Sequence, residues 1–167
     1  MREHNTKFET SELLQLVSFK IGAEEFGIDI LKVNEINRMM TLTKVPNAPK
    51  FVDGVVNLRG RIIPVINLRT KLSLPRKEYD RNSRIIVVEL AGKTIGFIVD
   101  EVSEVLRIPV SITEKPPEMV SGVNAAFIKA IGKLEDRLLI LLDLEKILAD
   151  GEDLELKRMT DNLPSFN

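Results

Sequence analysis

Short hydrophobic runs separated by polar turn residues dominate this chain. Residues 14–21 alternate hydrophobic and polar positions, and residues 85–90 and 95–99 are brief runs rich in β-branched side chains. Both patterns are typical of β-strands. The triplets Arg59-Gly60-Arg61 and Glu135-Asp136-Arg137 each stand between two hydrophobic runs, as hairpin turns do. The pattern therefore predicts a mostly β protein.

Two short helices and one irregular strand interrupt this pattern. Asn67 and Asp143 each end a hydrophobic run and can cap a helical turn over residues 68–72 and 144–148. Pro64 lies inside a hydrophobic run and has no backbone N–H to donate. We therefore expect its strand at a sheet edge or near a bulge.

Two stretches of the first half of the sequence recur in the second half. Residues 26–36 (FGIDILKVNEI) match residues 95–105 (IGFIVDEVSEV), and both end in the motif Val-x-Glu followed by Ile or Val. Residues 51–68 (FVDGVVNLRGRIIPVINL) match residues 127–144 (FIKAIGKLEDRLLILLDL) in hydrophobic pattern. Self-similarity of this kind indicates an internal duplication.

The duplication predicts two copies of one small β unit. Short strands with one brief helix, closing in about 60 residues, indicate a small β-barrel. The sequence thus divides into a polar N-terminal tail, two barrel units joined by a linker, and a charged C-terminal tail or frayed helix. The corresponding ranges are 1–11, then 12–149 (units 12–75 and 83–149, linker 76–82), then 150–167.

Composition narrows the functional class. The net charge of −1 argues against a nucleic-acid binder, and the absence of cysteine excludes disulfides and thiolate zinc sites. The N-terminal residues 1–10 lack the hydrophobic core of a signal peptide. The longest hydrophobic run, residues 138–142, is far too short to cross a bilayer. We therefore expect a cytoplasmic protein without direct membrane insertion.

Little catalytic chemistry is present. The single histidine, His4, lies in the polar tail, so no nucleophile–histidine pair is predicted. No glycine-rich phosphate loop occurs, and we expect no catalytic residues, metal or cofactor. Asp29 with Glu35, and Asp100 with Glu104, recur in both units, which favours structural roles. Convergence of these four carboxylates in one pocket would instead support a carboxylate enzyme.

The hairpin arginines allow two interpretations. Arg59 and Arg61 flank Gly60, and Arg69 follows soon after. They form either a solvated turn that keeps a sheet edge soluble, or an arginine anchor at a protein interface. A second set of residues is predicted either to pack in the core or to line a groove between barrels: Val33, Ile36, Val102 and Val105.

Three segments of this sequence resemble the CheW family of chemotaxis coupling proteins. They are residues 57–69 (NLRGRIIPVINLR), residues 25–36 (EFGIDILKVNEI) and residues 136–148 (DRLLILLDLEKIL). Similarity covers about residues 13–149. The resemblance implies two tandem SH3-like five-stranded barrels with short helices. It also implies an adaptor between the histidine kinase CheA, through its regulatory domain, and the cytoplasmic tips of methyl-accepting chemoreceptors.

The resemblance further implies the sites of contact. Receptor contacts fall on residues that lie toward the groove between the barrels: Val33, Glu35, Ile36, Arg59, Val102 and Val105. Contacts with the kinase in the array fall on Glu118 and Met119, although the family commonly has an aromatic residue where Met119 stands. Asn67 replaces the aspartate of the family motif, and asparagine caps a helix equally well.

Three alternatives stay open at this point. An adaptor of a pilus-motility or other chemosensory pathway would use the same residues. A carboxylate enzyme needs the pocket described above. A nucleic-acid-binding barrel would show strongly salt-dependent binding to single strands.

Overall fold

The computed structural model describes residues 12–117 and 126–148, and these residues are built mostly of β-strands. Two short helices, α1 (Leu68–Lys71) and α2 (Leu144–Ile147), follow the strands that end at Asn67 and Leu142. The strands in chain order are β1 (Leu13–Ile21), β2 (Glu24–Asp29), β3 (Val33–Arg38), β4 (Val52–Leu58), β5 (Arg61–Asn67), β6 (Arg84–Leu90), β7 (Lys93–Val99), β8 (Glu101–Pro109), β9 (Thr113–Glu114), β10 (Ile128–Lys133) and β11 (Leu138–Leu142).

Both helices begin at the predicted cap residues. The side-chain oxygen of Asn67 accepts a hydrogen bond from the backbone N–H of Thr70 at 3.1 Å. The Asp143 carboxylate accepts one from the N–H of Lys146 at 3.3 Å. Each cap satisfies a backbone donor that has no partner within the helix. A further single turn of 3-10 helix, Ile30–Lys32, connects β2 to β3.

The strands form two sheets, and each sheet is the basis of one small barrel. Barrel 1 has the strand order β3-β6-β7-β5-β4, and barrel 2 has the order β8-β1-β2-β11-β10-β9. The predicted class, all-β with two SH3-like barrels, is confirmed. In barrel 2 the two-residue strand β9 adds a sixth strand to the sheet.

The barrels do not coincide with the two halves of the sequence. Barrel 1 takes β3, β4 and β5 from the first repeat but β6 and β7 from the second. Barrel 2 takes β1 and β2 from the first repeat and β8, β9, β10 and β11 from the second. Parallel pairing of β5 with β7, and of β11 with β2, joins the repeats. The expectation that units 12–75 and 83–149 are each one barrel is therefore wrong. Hydrophobic periodicity identifies strands and their buried faces, but it does not identify which strand pairs with which.

This exchange of strands produces a hydrophobic core cluster that is shared by both barrels. Phe19 and Phe26 of barrel 2 stack with their ring centroids 5.8 Å apart, and they belong to the same buried cluster as Ile86 and Phe97 of barrel 1. Burying a side chain of this size contributes roughly 1.5–3 kcal/mol, so the shared cluster couples the stability of the two barrels.

Pro64 does not lie on an edge strand. Its strand β5 is flanked by β4 and β7, which corrects the edge expectation. Pairing between β5 and β7 begins only at Val65, one residue after the proline, so no ladder donor is lost. The predicted neighbouring bulge is present, because the register of the β4–β5 pair shifts between Val52 and Gly54.

Candidate protein-binding site

The repeated Val-x-Glu motif forms the same irregular structure in both barrels. In β3, Val33 pairs with Val88 and Glu35 with Val87, so Asn34 is an extra, bulged residue. In β8, Ser103 occupies the equivalent bulge between Val102 and Glu104. Residues two apart on a regular strand share a face. The bulge breaks that rule and redirects the glutamate away from the face of the valine.

In barrel 1 the redirected glutamate forms an ion pair that joins the two edges of the sheet. Glu35 on the edge strand β3 pairs with Arg59, which lies in the turn between β4 and β5. Asn37 donates a further hydrogen bond to the same carboxylate at 3.1 Å. The hydrogen bonds from Arg59 and then Asn37 lower the pKa of Glu35, so the carboxylate is charged at neutral pH. We refer to this contact as the edge ion pair of barrel 1.

The turn that carries Arg59 is tight and unusual. Arg59 and Gly60 have φ angles of 52° and 86°, and the flanking Leu58 and Arg61 pair directly. Two consecutive residues with positive φ define the type I′ geometry that suits two-residue hairpins. The Asn57 side chain accepts a hydrogen bond from the N–H of Gly60 at 2.8 Å. An arginine in a conformation that favours glycine is a local strain, and such strain is concentrated at functional sites.

In barrel 2 the equivalent ion pair involves Arg137, which ends the β10–β11 turn. Its guanidinium donates to Glu104 of β8 at 3.3 Å and to Glu25 of β2 at 2.6 Å. Glu25 is buried, whereas Glu104 is more than half exposed. Hydrogen bonding to Glu25 raises the pKa of Arg137 above its already high ordinary value. The edge ion pair of barrel 2 is thus Glu104–Arg137.

Each motif also exposes one hydrophobic side chain beside its ion pair. Ile36 on β3 is 39% exposed, and Val105 on β8 is 58% exposed. Val33 and Val102 are half-buried and pack against the shared core. Each edge strand therefore carries one half-buried valine, one paired glutamate and one exposed hydrophobic residue. This combination of an apolar contact with an adjacent arginine is typical of protein interfaces.

The predicted receptor residues divide between the two barrels. Glu35 and Arg59 meet in the first edge ion pair, and Val33 and Ile36 lie on the same strand as Glu35, while Val102 and Val105 lie on the equivalent strand of the other barrel. The predicted array contacts, Glu118 and Met119, lie outside the described residues. Sequence reasoning placed Arg137 in a hairpin turn but missed its pairing with Glu104. The duplication gave no signal for it, because the duplicated blocks align Arg137 with Arg61, whereas the partner of Glu35 is Arg59.

The four recurring carboxylates do not converge. Asp29 accepts a hydrogen bond from the N–H of Leu31, and Asp100 pairs with Arg69. Glu35 and Glu104 belong to different edge ion pairs. Among residues 12–117 and 126–148, no group of His, Cys, Asp or Glu side chains could hold a metal ion. No helix in the same ranges is long and apolar enough to cross a membrane.

A separate hydrophobic surface lies at one end of barrel 2. It surrounds an open cavity of about 470 Å³, which the 3-10 turn at Ile30–Lys32 and the start of β1 border. Leu31 in that turn is 88% exposed. We define the Leu31 surface by four of the hydrophobic side chains that line this cavity, Leu13, Leu14, Leu31 and Val110.

These features define a β-barrel module for binding other proteins, and comparison with known proteins gives its family. The family model described as the CheW-like domain matches residues 15–152. This chain belongs to the CheW-like family. The family match agrees with the resemblance carried by the Arg59 and Val-x-Glu segments.

Relatives and a solved structure are similar over most of the chain. Chemotaxis protein CheW of Klebsiella aerogenes is 39% identical over 138 residues, which cover 83% of each chain. Chemotaxis protein CheW of Helicobacter pylori is 38% identical over 140 residues, which cover 84% of each chain. The crystal structure of the scaffolding protein TtCheW from Thermoanaerobacter tengcongensis matches with a TM-score of 0.77 at 35% identity. That match covers 84% of this chain and 96% of that chain.

Proposed function

We propose that this chain is a non-enzymatic adaptor of chemotaxis signalling that joins chemoreceptors to the histidine kinase CheA. Membership of the CheW-like family supports the chemotaxis role, and the relatives described above carry that description. The observation that carries the proposal is the repeated edge motif. Each copy presents an exposed hydrophobic residue beside an ion pair, Ile36 with Glu35–Arg59 and Val105 with Glu104–Arg137. Such a surface is suited to binding a protein.

The receptor binds the edge strands β3 and β8. The cytoplasmic tip of a chemoreceptor is expected to place hydrophobic side chains against Ile36 and Val105. Arg59 lies beside this face with 71% of its side chain exposed, so its guanidinium remains accessible although it pairs with Glu35. A forked guanidinium can hold Glu35 with one edge and a partner oxygen with another, which the ammonium of lysine does less well.

The kinase binds a different face, the Leu31 surface. A leucine that is 88% exposed gives a folded domain no benefit from burial, and clustered exposed hydrophobic residues mark interaction sites. Thr113 and Lys129, which belong to the strands flanking residues 118–125, border the same cavity. The predicted array contacts Glu118 and Met119 fall within that intervening segment. The exposed hydrophobic residues of this surface therefore assign this end of barrel 2 to the regulatory domain of the kinase.

The adaptor works in the cytoplasm and reaches the membrane only through its receptor partners. An adaptor of a pilus-motility pathway would use the same surfaces. The chemotaxis assignment is favoured because the relatives at 38–39% identity are described as chemotaxis proteins.

The decisive experiment measures two affinities for one purified protein. Isothermal titration calorimetry with a receptor cytoplasmic fragment and with the regulatory domain of CheA should give saturable binding to each. Addition of one partner should not displace the other. Displacement would mean that both partners use one face, and no binding to either would reject the adaptor role.

A further inference from the structure

We propose that Arg137 is a positioning residue of the receptor-binding face, and that it holds β8 through Glu104. Its role is equivalent to that of Arg59, which holds β3 through Glu35. The inference rests on the proposed function, because it assigns Arg137 to the second half of the receptor face.

The geometry places one guanidinium across three strands of barrel 2. Strand β1 lies between β8 and β2, and Arg137 pairs with a carboxylate on each of the outer two. It donates through Nε to Glu25 at 2.6 Å and through Nη2 to Glu104 at 3.3 Å. A third hydrogen bond from Nη1 to Asp136 at 3.0 Å orients the guanidinium within its own turn.

β8 needs such a contact more than an interior strand does. It is an edge strand whose only sheet neighbour among the described strands is β1. The bulge at Ser103 interrupts this pairing next to Val102. Glu104 follows the bulge directly, so its ion pair restrains the strand at the point where the ladder is weakest. Arg137, Val102 and Glu104 also line one open cavity of about 740 Å³.

Loss of each of the two ion pairs of Arg137 has a different consequence for folding stability. Glu25 is buried, and removal of Arg137 would leave its charge unpaired in the interior, which is strongly destabilising. Glu104 is 54% exposed, so neutralising it leaves the Arg137–Glu25 pair intact at little cost in stability. Glu104→Gln is therefore the informative variant, because it breaks only the ion pair between Arg137 and β8.

The test compares Glu104→Gln with two controls. Glu35→Gln breaks the Glu35–Arg59 ion pair in barrel 1. Arg107→Leu removes an exposed charge from β8 and leaves the Glu104–Arg137 ion pair in place. Amide hydrogen exchange by NMR and the affinity for a receptor fragment are measured for each variant. Glu104→Gln should accelerate exchange of the β8 amides near Val102 and Val105, and Glu35→Gln should do so in β3.

Receptor affinity should fall roughly two- to fivefold in Glu104→Gln, the range of a partly exposed ion pair, and should be unchanged in Arg107→Leu. The melting temperature and kinase affinity should be retained. Unchanged β8 exchange in Glu104→Gln would overturn the proposal, as would faster exchange with receptor affinity unaltered. Absence of receptor binding by the unmodified protein would instead reject the proposed function, while the exchange data would still test whether Glu104 restrains β8.

Discussion

Arg69 in helix α1 and Asp100 after β7 form an ion pair that joins the two repeats. Their closest atoms, Nη2 and Oδ2, are 2.6 Å apart, and both side chains are only 15% exposed. The same carboxylate accepts a hydrogen bond from the N–H of Gly22 at 2.7 Å, so Asp100 also contacts the β1–β2 turn. One aspartate thereby connects the start of the chain, the first helix and the strand β7.

The Asp100 ion pair predicts a pH dependence of stability. Burial alone would raise the pKa of Asp100, but hydrogen bonds from Arg69 and Gly22 outweigh burial and lower the pKa below its ordinary 3.8. A carboxyl group with a lowered folded-state pKa stabilises the fold above its unfolded-state pKa. This contribution should be complete at neutral pH, decline as the pH falls through 3.8, and disappear below the lowered value.

Asp100→Asn should therefore reduce the free energy of unfolding at pH 7 by about 1–2 kcal/mol, as expected for a charged hydrogen bond with some solvent access. The difference from the unmodified protein should shrink as the pH is lowered from 5 toward about 3. Urea denaturation at several pH values measures this. The exposed Glu89→Gln serves as control. A difference that is constant with pH would mean that the carboxylate charge is irrelevant.

Arg59 should separate binding from folding. Arg59→Ala removes the guanidinium but keeps a side chain at φ 52°, whereas Arg59→Gly also relieves the backbone strain. Both variants should lose receptor affinity at least about fivefold, as at an interface anchor, and both should retain kinase affinity. Arg59→Gly should melt roughly 2–4 °C higher than Arg59→Ala. If kinase affinity falls as much as receptor affinity, Arg59 is a structural residue.

Ser18 should be necessary for the bulge of β8. Its buried hydroxyl donates to the carbonyl of Glu104 at 3.1 Å and accepts from the N–H of Glu104 at 3.2 Å. Ser18→Ala leaves these backbone groups without the hydroxyl and should cost about 1–3 kcal/mol of unfolding free energy. Ser103→Ala, at the exposed bulged residue, should cost much less. Equal losses in the two variants, measured by urea denaturation, would contradict this role.

A substitution in the Leu31 surface should weaken kinase binding and leave receptor binding unchanged, the opposite of a substitution at Arg59. Leu31→Asp places a charge on a side chain that is 88% exposed, so folding stability should be retained. Affinity for the kinase regulatory domain should fall at least about tenfold, because the charge would be buried without a partner in the complex. Receptor affinity should be unchanged. Leu138→Asp, at an exposed leucine outside this surface, is the matched control and should leave kinase binding intact.

The sequence predicted local structure well because local structure depends on neighbouring residues. The caps at Asn67 and Asp143, the Arg59–Gly60 turn and the repeated strand pattern all lie where the hydrophobic pattern and turn chemistry placed them. The pairing of β5 with β7 could not be predicted, because it joins residues about 30 positions apart through backbone hydrogen bonds that any side chain permits.

The site was predicted only in part, because its long-range contacts, like the strand pairing, do not depend on neighbouring residues. The Val-x-Glu motif was visible as a repeat, but its meaning depends on the bulges at Asn34 and Ser103. Those bulges exist only once β3 and β8 pair with strands of the opposite repeat. The contacts of Glu35 and Glu104 with hairpin arginines are likewise long-range, so the sequence named the carboxylates without their partners.

The exchange of strands predicts that neither repeat folds alone. A fragment of residues 12–75 contains β1 and β2 of barrel 2 but lacks β11, with which β2 pairs, and it lacks β6, with which β3 pairs. The fragment 83–149 likewise lacks the strands of the first repeat with which its own strands pair. Each fragment should show little β structure by circular dichroism, whereas an equimolar mixture should regain it and elute as a 1:1 complex. A cooperative thermal transition in isolated 12–75 at the size of a monomer would show that one repeat forms a barrel by itself, and would refute the exchanged topology.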